Sequence, residues 1–312
     1  MGEFDLIRRY FQRPAGDGVE VGVGDDCAVL VPTPGARWLV SSDMLVEGRH
    51  FLSTVDPARL GHKALAVNLS DLAACGATPR GFTLALALPR VDEGWLAGFS
   101  RGLLALADAH GCPLVGGDTT QGPLNLCITV FGEAPPGEAL LRSGARVGDE
   151  IWVSGTLGDA RLALEVFRGT VALAGDGFEA VRAAMECPTP RVALGQALRG
   201  IATAAADVSD GLLGDLGHIL TASGVGARLD VDALPRSAVL AAQPQALQRA
   251  CGLAGGDDYE LVFTAPPGAR LPDVGVRLTR IGVIEAASGL RVVDARGHAV
   301  EHGLRSFDHF SA

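Results

Sequence analysis

The sequence predicts a mixed α/β (α+β) fold in two domains, and three observations predict it. The chain has 312 residues, enough for two domains of roughly 150 residues each. Strand-like and helix-like runs alternate irregularly along it, which favours a mixed sheet over a doubly wound parallel one. A turn-rich stretch, Ala134-Pro135-Pro136-Gly137, breaks the pattern near the middle and divides the chain into residues 1–137 and 138–312.

In the first part, Val19 to Val23 alternates and runs into Gly24-Asp25-Asp26. Trp38 to Val40 is a short strand-like run ending at Ser41-Ser42-Asp43. Leu60 to Ala74 has apolar residues at helical spacing and stops at Gly76. Phe82 to Leu88 is a compact strand closed by Pro89. Trp95, Phe99, Leu103 and Leu106 share one helical face. Pro113 to Val115 leads into Gly116-Gly117-Asp118, and Leu126 to Phe131 is a further strand.

The second part opens with a strand at Glu150–Val153. Helices are predicted near 157–168, 177–186 and 190–200, and another opens after Asp207-Val208-Ser209-Asp210-Gly211 and runs to about Ala222. Strand-like segments follow at Ala227–Val231, Tyr259–Thr264, Thr279–Ile284 and Leu290–Val293.

Composition excludes several functions. Acids outnumber bases 36 to 26, for a net charge of −10. An acidic chain without basic runs is a poor binder of nucleic acid or of a membrane surface. The one lysine, Lys63, lies in Gly61-His62-Lys63-Ala64, so a Walker-type phosphate loop is absent. On the apolar pattern around it, Lys63 is expected on the helix surface or as an electrostatic support, without an assigned role. No apolar run reaches the ~18 residues of a membrane span, and Met1-Gly2-Glu3-Phe4-Asp5 does not read as a signal peptide. The 6 cysteines form no C-x-x-C pair and read as free thiols of a reducing compartment, so the expected location is cytoplasmic.

One motif match is fortuitous. Gly98-Phe99-Ser100-Arg101-Gly102 fits G-x-S-x-G but lies inside an amphipathic helix, whereas a nucleophile elbow sits between strand and helix. The informative pattern is a set of aspartates flanked by Gly or Ser: Asp25-Asp26, Asp43, Asp71, Asp118, Asp207 with Asp210, and Asp257-Asp258. They are expected at strand ends and helix starts, where aspartate alone is commonly a turn or cap residue. As a set, converging carboxylates need cations, and oxygen donors with neighbouring hydroxyls (Ser41, Ser42, Thr119) suit Mg²⁺. Such ions offset charge on phosphates during transfer. Glycines at 116–117 and the helix opening after Asp210 are further candidates for holding phosphate. Spacing alone leads to a metal-dependent enzyme of phosphorylated small molecules.

Seven stretches then carry a resemblance: GDDCAVL (24–30), SSDMLVEGRHF (41–51), KALAVNLSDLAACGA (63–77), VGGDTTQGP (115–123), RSGARVGDEIWVSGTLGDA (142–160), DVSDGLLGDLGHI (207–219) and GGDDYELVFT (255–264). In this order they resemble the thiamine-monophosphate kinase family, within the superfamily of aminoimidazole ribonucleotide synthetase, along almost the full length. The resemblance implies a two-domain synthetase-like fold, with an N-terminal ATP/Mg-binding sheet domain that pairs in a homodimer and an α/β C-terminal domain. It implies transfer of the γ-phosphate of ATP to thiamine monophosphate, the final step of thiamine diphosphate biosynthesis, assisted by several Mg²⁺ ions.

Residue by residue, it implies Mg²⁺ ligands at Asp26, Ser41, Ser42, Asp43, Asp71, Asp118, Asp207 and Asp210. ATP contacts are implied at Gly117, Asp118, Arg142 and Ser209, and thiamine monophosphate contacts at His50, Asp257 and Phe307. No covalent or general-base residue is implied. Asp257 stands where the family usually has Glu, Phe307 where Tyr or Trp is common, and His110 where Tyr often stands.

Other readings remain beside it. Selenophosphate synthetases carry an N-terminal Cys or selenocysteine with a nearby Lys, and residues 1–26 hold neither. Hydrogenase-maturation members end in a reactive Cys, and this chain ends Phe310-Ser311-Ala312. A non-catalytic metal- or nucleotide-binding protein and a metal-dependent phosphatase are the alternatives outside the superfamily.

Overall fold

A computed structural model describes residues 2–307. The chain forms two compact units, Met1–Leu72 with Ala77–Gly137, and Ala73–Gly76 with Glu138–Ala312.

The first unit starts with helix α1 (Glu3–Tyr10) and a small antiparallel pair, β1 (Val19–Val21) and β2 (Val29–Leu30). Its main sheet has four strands: β3 (Arg37–Val46), β4 (Thr78–Leu88), β5 (Leu114–Gln121) and β6 (Asn125–Ala134). Their order is β3-β6-β4-β5, antiparallel except for the parallel β4–β5 pair. Helices α2 (Pro57–Ala74) and α3 (Glu93–Ala109) pack closely: a Cβ on Gly102 would lie 1.8 Å from the Ala58 carbonyl oxygen, and one on Gly61 would lie 2.1 Å from that of Phe99. Glycine at both points lets the helix backbones approach. The G-x-S-x-G match falls inside α3, with Ser100 buried.

Alternation along β3 separates two faces. Leu39, Ser41, Asp43 and Leu45 point to the side of α2, since the Ser41 hydroxyl donates to Asp71 and the Asp43 amide donates to Asn68, both on that helix. Trp38, Val40, Ser42 and Met44 point the other way and are exposed.

The second unit holds a six-stranded sheet of β7 (Glu150–Ser154), β8 (Ala204–Asp207), β9 (Gly226–Asp230), β10 (Leu261–Ala265), β11 (Leu278–Glu285) and β12 (Gly289–Val293), in the order β12-β9-β11-β7-β10-β8. All neighbours are antiparallel except β12 with β9. The sheet and α7 (Leu212–Ser223) share one core, including Ile151, Val153, Leu212, Leu216, Ile219 and Val262. A smaller core gathers Leu162, Ala163, Val181, Leu240 and Cys251 among α4 (Asp159–Phe167), α5 (Gly175–Glu186), α8 (Ala238–Ala241) and α9 (Gln245–Ala254). The short α6 (Val192–Ala197) and a 3₁₀ turn at Val231–Ala233 complete the unit.

Two expectations are corrected. Asp43 and Asp118 do not sit at strand ends but within β3 and β5, and Asp71 is near the end of α2. β3 and β5 are the edges of a sheet whose second face is open, so Asp118 is carried mid-strand at no burial cost, while Asp43 faces α2, where Asn68 accepts from its amide. Lys63 is not a surface residue: it is 3 % exposed and its ammonium donates to the His50 carbonyl oxygen at 3.3 Å.

Candidate active site

In the first unit the expected metal residues fall into two groups. At the β3 edge, Ser41 is hydrogen-bonded to Asp71, with Asp43 two residues along the strand. Ser42 lies on the opposite face, its hydroxyl 3.0 Å from the Thr129 hydroxyl. At the β5 edge, exposed Asp118 is in register with Ala85, which pairs with Cys127 and in turn Met44, so it shares the open face with Ser42. Three strand spacings separate β3 from β5, about 14 Å across the sheet. Gly117 precedes Asp118 with φ +148, and a Cβ there would meet the Leu84 carbonyl oxygen at 1.9 Å. Asp26 is exposed in the loop before β2, where its amide bonds to Asp25.

His50 closes the turn after β3. Its Nδ1 accepts from the Val46 amide at 3.0 Å, while its own amide donates to the Val46 carbonyl. A neutral imidazole bonded this way carries its proton on Nε2.

In the second unit the candidates converge on the turn between β8 and α7. Asp207 ends β8 and is buried. α7 begins at Leu212 behind Gly211, whose side-chain-free cap offers no hydrogen bond. The cap is supplied instead from within the helix: Asp215 Oδ2 accepts from the amides of Ser209, Asp210 and Gly211 at 3.1, 3.2 and 3.0 Å. At the helix opening after Asp210, a candidate for holding phosphate, the Gly211 amide is thus engaged by Asp215. Burial, and then the charge of Asp210, push the Asp215 carboxyl up to about 7 against those three amides.

The carbonyls of the same turn hold the substrate candidates. Ser209 accepts from the Asp257 amide at 2.8 Å, Asp210 from the Phe307 amide at 3.0 Å, and Gly211 from the Ser306 hydroxyl at 3.2 Å. Asp257 is left-handed at φ 67, and its carboxylate accepts from the Tyr259 hydroxyl at 3.0 Å. Phe307 is 50 % exposed. Arg142 is exposed, and its segment is anchored by Ser223, whose hydroxyl donates to the Arg142 carbonyl and accepts from the amides of Gly144 and Ala145.

The rest of the 255–264 stretch is scaffolding. Asp258 accepts from the Gly158 amide at the start of α4 with both oxygens at 2.9 Å, and burial raises its carboxyl well above the usual range. Buried Glu260 pairs with Arg191 and Ser154. Sequence reasoning missed Asp215, Asn68 and the Arg191–Glu260 pair. Only Asp215 left a signal, an acid in the first turn of a helix whose cap is glycine.

Among the described residues, no three His, Cys, Asp or Glu side chains stand together as a ready metal site. The donor chemistry nonetheless fits a hard cation: the Ser41–Asp71 pair and Asp43 present only oxygen, and Asp210 beside Asp215 leaves like charges to be offset.

Comparison with known proteins shows the family. Residues 24–134 match the family of AIR synthase related proteins in its N-terminal domain, and residues 146–294 match its C-terminal domain. The chain is 48 % identical to the thiamine-monophosphate kinase of Salmonella typhimurium, over 99 % of its own length and 98 % of that protein's. It resembles the crystal structure of thiamine-monophosphate kinase from Stenotrophomonas maltophilia with a TM-score of 0.85 at 44 % identity, covering 95 % of this chain and 96 % of the other. It also resembles AaThiL complexed with AMPPCP and TMP, with a TM-score of 0.80 at 29 % identity over 98 % of this chain and 96 % of that one.

Proposed function

The chain belongs to the thiamine-monophosphate kinase family, and from that premise we propose how its own residues divide the work. It is an ATP-dependent kinase that phosphorylates thiamine monophosphate to thiamine diphosphate, the final step in making that cofactor. The observation that carries the residue assignment is the Ser209–Gly211 turn. Its Ser209 and Asp210 are the nucleotide and metal candidates, and its carbonyls seat Asp257 and Phe307, the acceptor candidates.

Transfer is direct and in line. The acceptor phosphate is already anionic, so positioning and charge neutralisation suffice and no general base is assigned. Arg142 presents a planar fork to phosphate oxygens, and Ser209 adds a hydroxyl donor. His50, with its proton on Nε2, donates to the phosphate of thiamine monophosphate. Phe307 presents an exposed ring to stack on the cationic thiamine, and Asp257, braced by Tyr259, faces the same substrate. Gly117 lets the backbone beside Asp118 approach ATP. Asp26, Ser41, Ser42, Asp43, Asp71 and Asp118 of the first unit, and Asp207 and Asp210 of the second, hold several Mg²⁺ ions. Bound Mg²⁺ neutralises charge on the phosphates.

Residues 1–137 form the ATP/Mg-binding and dimerisation domain, and residues 138–312 the α/β domain. A homodimer is supported by the exposed apolar row of Trp38, Val40 and Met44. It also explains the split of the metal residues: the β3 edge of one subunit, with Ser41, Asp43 and Asp71, meets the β5 edge of its partner. The net charge of −10 argues against nucleic acid as a partner. No helix of the described residues is long and apolar enough to cross a membrane, and a membrane partner is not expected. Cysteines kept as free thiols support a cytoplasmic site of action.

The test is incubation of the folded protein with ATP, Mg²⁺ and thiamine monophosphate. Thiamine diphosphate and ADP in equal amounts are expected. ADP with inorganic phosphate alone favours a phosphatase and overturns the reading.

A further inference from the structure

The turn at Ser209–Gly211 is unusual in how completely its backbone is committed. All three amides go to one carboxylate oxygen of Asp215, a residue 2 % exposed. Its three carbonyls go outward, to the Asp257 amide, the Phe307 amide and the Ser306 hydroxyl. Ser306 is tied in twice, since its hydroxyl oxygen also accepts from the Gly214 amide at 2.7 Å. Gly214 leaves room for this strap, because a Cβ there would lie 2.8 Å from the Ser306 Cβ.

Three amides aimed at one oxygen fix the orientation of three successive peptide planes. Those planes carry, on their opposite edges, the carbonyls of Val208, Ser209 and Asp210, which accept from the amides of Tyr259, Asp257 and Phe307; the Gly211 carbonyl belongs to the next plane. Whatever holds the amides therefore also aims the carbonyls. We propose that Asp215 is a positioning residue that couples the two substrate sides of the reaction: by holding the Ser209–Gly211 amides it sets Ser209 and Asp210 for the nucleotide and, through the opposite edges of the same peptides, seats Asp257 and Phe307 for the acceptor. The coupling to substrates rests on the assignments made under the proposed function; the mechanical coupling does not.

A helix cap with a purely structural role costs stability and leaves Michaelis constants alone. Coupling has a different signature. In Asp215→Asn the shape is kept, but the charge that three amides share is lost and one carboxylate oxygen becomes an NH2 donor; KM for ATP and KM for thiamine monophosphate both rise, each by about tenfold. Unchanged Michaelis constants in folded Asp215→Asn, or a change in only one, overturn the proposal. Amide hydrogen exchange without substrates provides the readout that does not depend on activity. Faster exchange at residues 209–211 together with Asp257 and Phe307 is expected in Asp215→Asn; faster exchange at 209–211 alone overturns the coupling.

Ser306→Ala is the second variant, which stays informative if Asp215→Asn does not fold. It loosens the strap and leaves the Asp215 carboxylate in place. Faster exchange at Phe307 with 209–211 still protected supports the proposal, and lost protection at 209–211 overturns it, because the strap would then be what holds the turn. If the wild type makes no thiamine diphosphate, the proposed function falls while the exchange measurements still decide the role of Asp215.

Discussion

Arg191 grips both carboxylate oxygens of Glu260, through Nε at 2.7 Å and through Nη2. Glu260 is 6 % exposed, also accepts from Ser154, and lies at the foot of the strand that follows Asp257. Removing one partner of a buried, hydrogen-bonded pair strands the other charge, at a cost of about 3–5 kcal/mol. Arg191→Met is therefore expected to lower the stability of the full chain by about that amount in urea titration. A loss within experimental scatter would show that the pair is solvated and contributes little.

Gly117 is the second point of high sensitivity. Its φ of +148 and the 1.9 Å approach of a Cβ to the Leu84 carbonyl oxygen leave no place for a side chain. Gly117→Ala has to shift β5 against β4 and carries Asp118 with it. The expected cost is about 2 kcal/mol or more, combining backbone strain and overpacking, together with a loss of ATP affinity. Wild-type melting temperature and ATP binding in this variant would remove the close approach as a constraint.

The division of carboxylates between two sheet edges makes a prediction about assembly. Asp43→Asn and Asp118→Asn are each expected to be folded and nearly inactive. If the two edges meet across a dimer, mixing the two variants under subunit exchange restores about a quarter of wild-type activity, since half the dimers are mixed and each has one intact centre. No recovery, in a mixture shown to exchange subunits, would place the whole centre within one subunit.

Glu165 links stability to pH. Burial alone would raise its carboxyl, but the Thr170 and Arg161 hydrogen bonds and the charges of Arg161 and Arg168 outweigh this and hold it below its ordinary 4.5. A depressed acid stabilises the fold above its unfolded value, and the contribution is lost as pH falls through the folded value. Glu165→Gln is thus expected to be less stable than wild type by about 1–2 kcal/mol at pH 7, with the gap closing below pH 4.5. Thermal unfolding of both proteins from pH 7 to 3 checks this, and a gap constant across that range would contradict it.

Much of the candidate site was legible because its markers are local. Asp207-Val208-Ser209-Asp210-Gly211 before an apolar helical pattern locates the opening of a helix, and the structure has α7 there, behind a strand, β8, that the sequence reading did not include. The apolar periods at 60–74 and 95–106 likewise correspond to α2 and α3. Strand limits were less legible. Apolar runs suggested strands ending at Val40 and Val115, whereas β3 continues to Val46 and β5 to Gln121. Ser42 and Asp118 lie on the solvent-facing side of their strands and Ser41 is met by Asp71 of α2, so polarity does not mark the strand ends.

The chain by itself determined the donor chemistry: oxygen-bearing aspartates and serines, one lysine, and glycines where the backbone must approach a neighbour. Those are properties of residue type and near neighbours, which spacing records. Only tertiary structure decided that Lys63 is buried against His50, that Ser42 and Asp43 face opposite sides of one sheet, and that Asp215 takes the Gly211 amide at a helix opening named as a phosphate candidate. Each depends on which distant segment fills the space beside the residue. Burial and hydrogen-bond satisfaction are set by contacts across the fold, and no local period in the sequence encodes them.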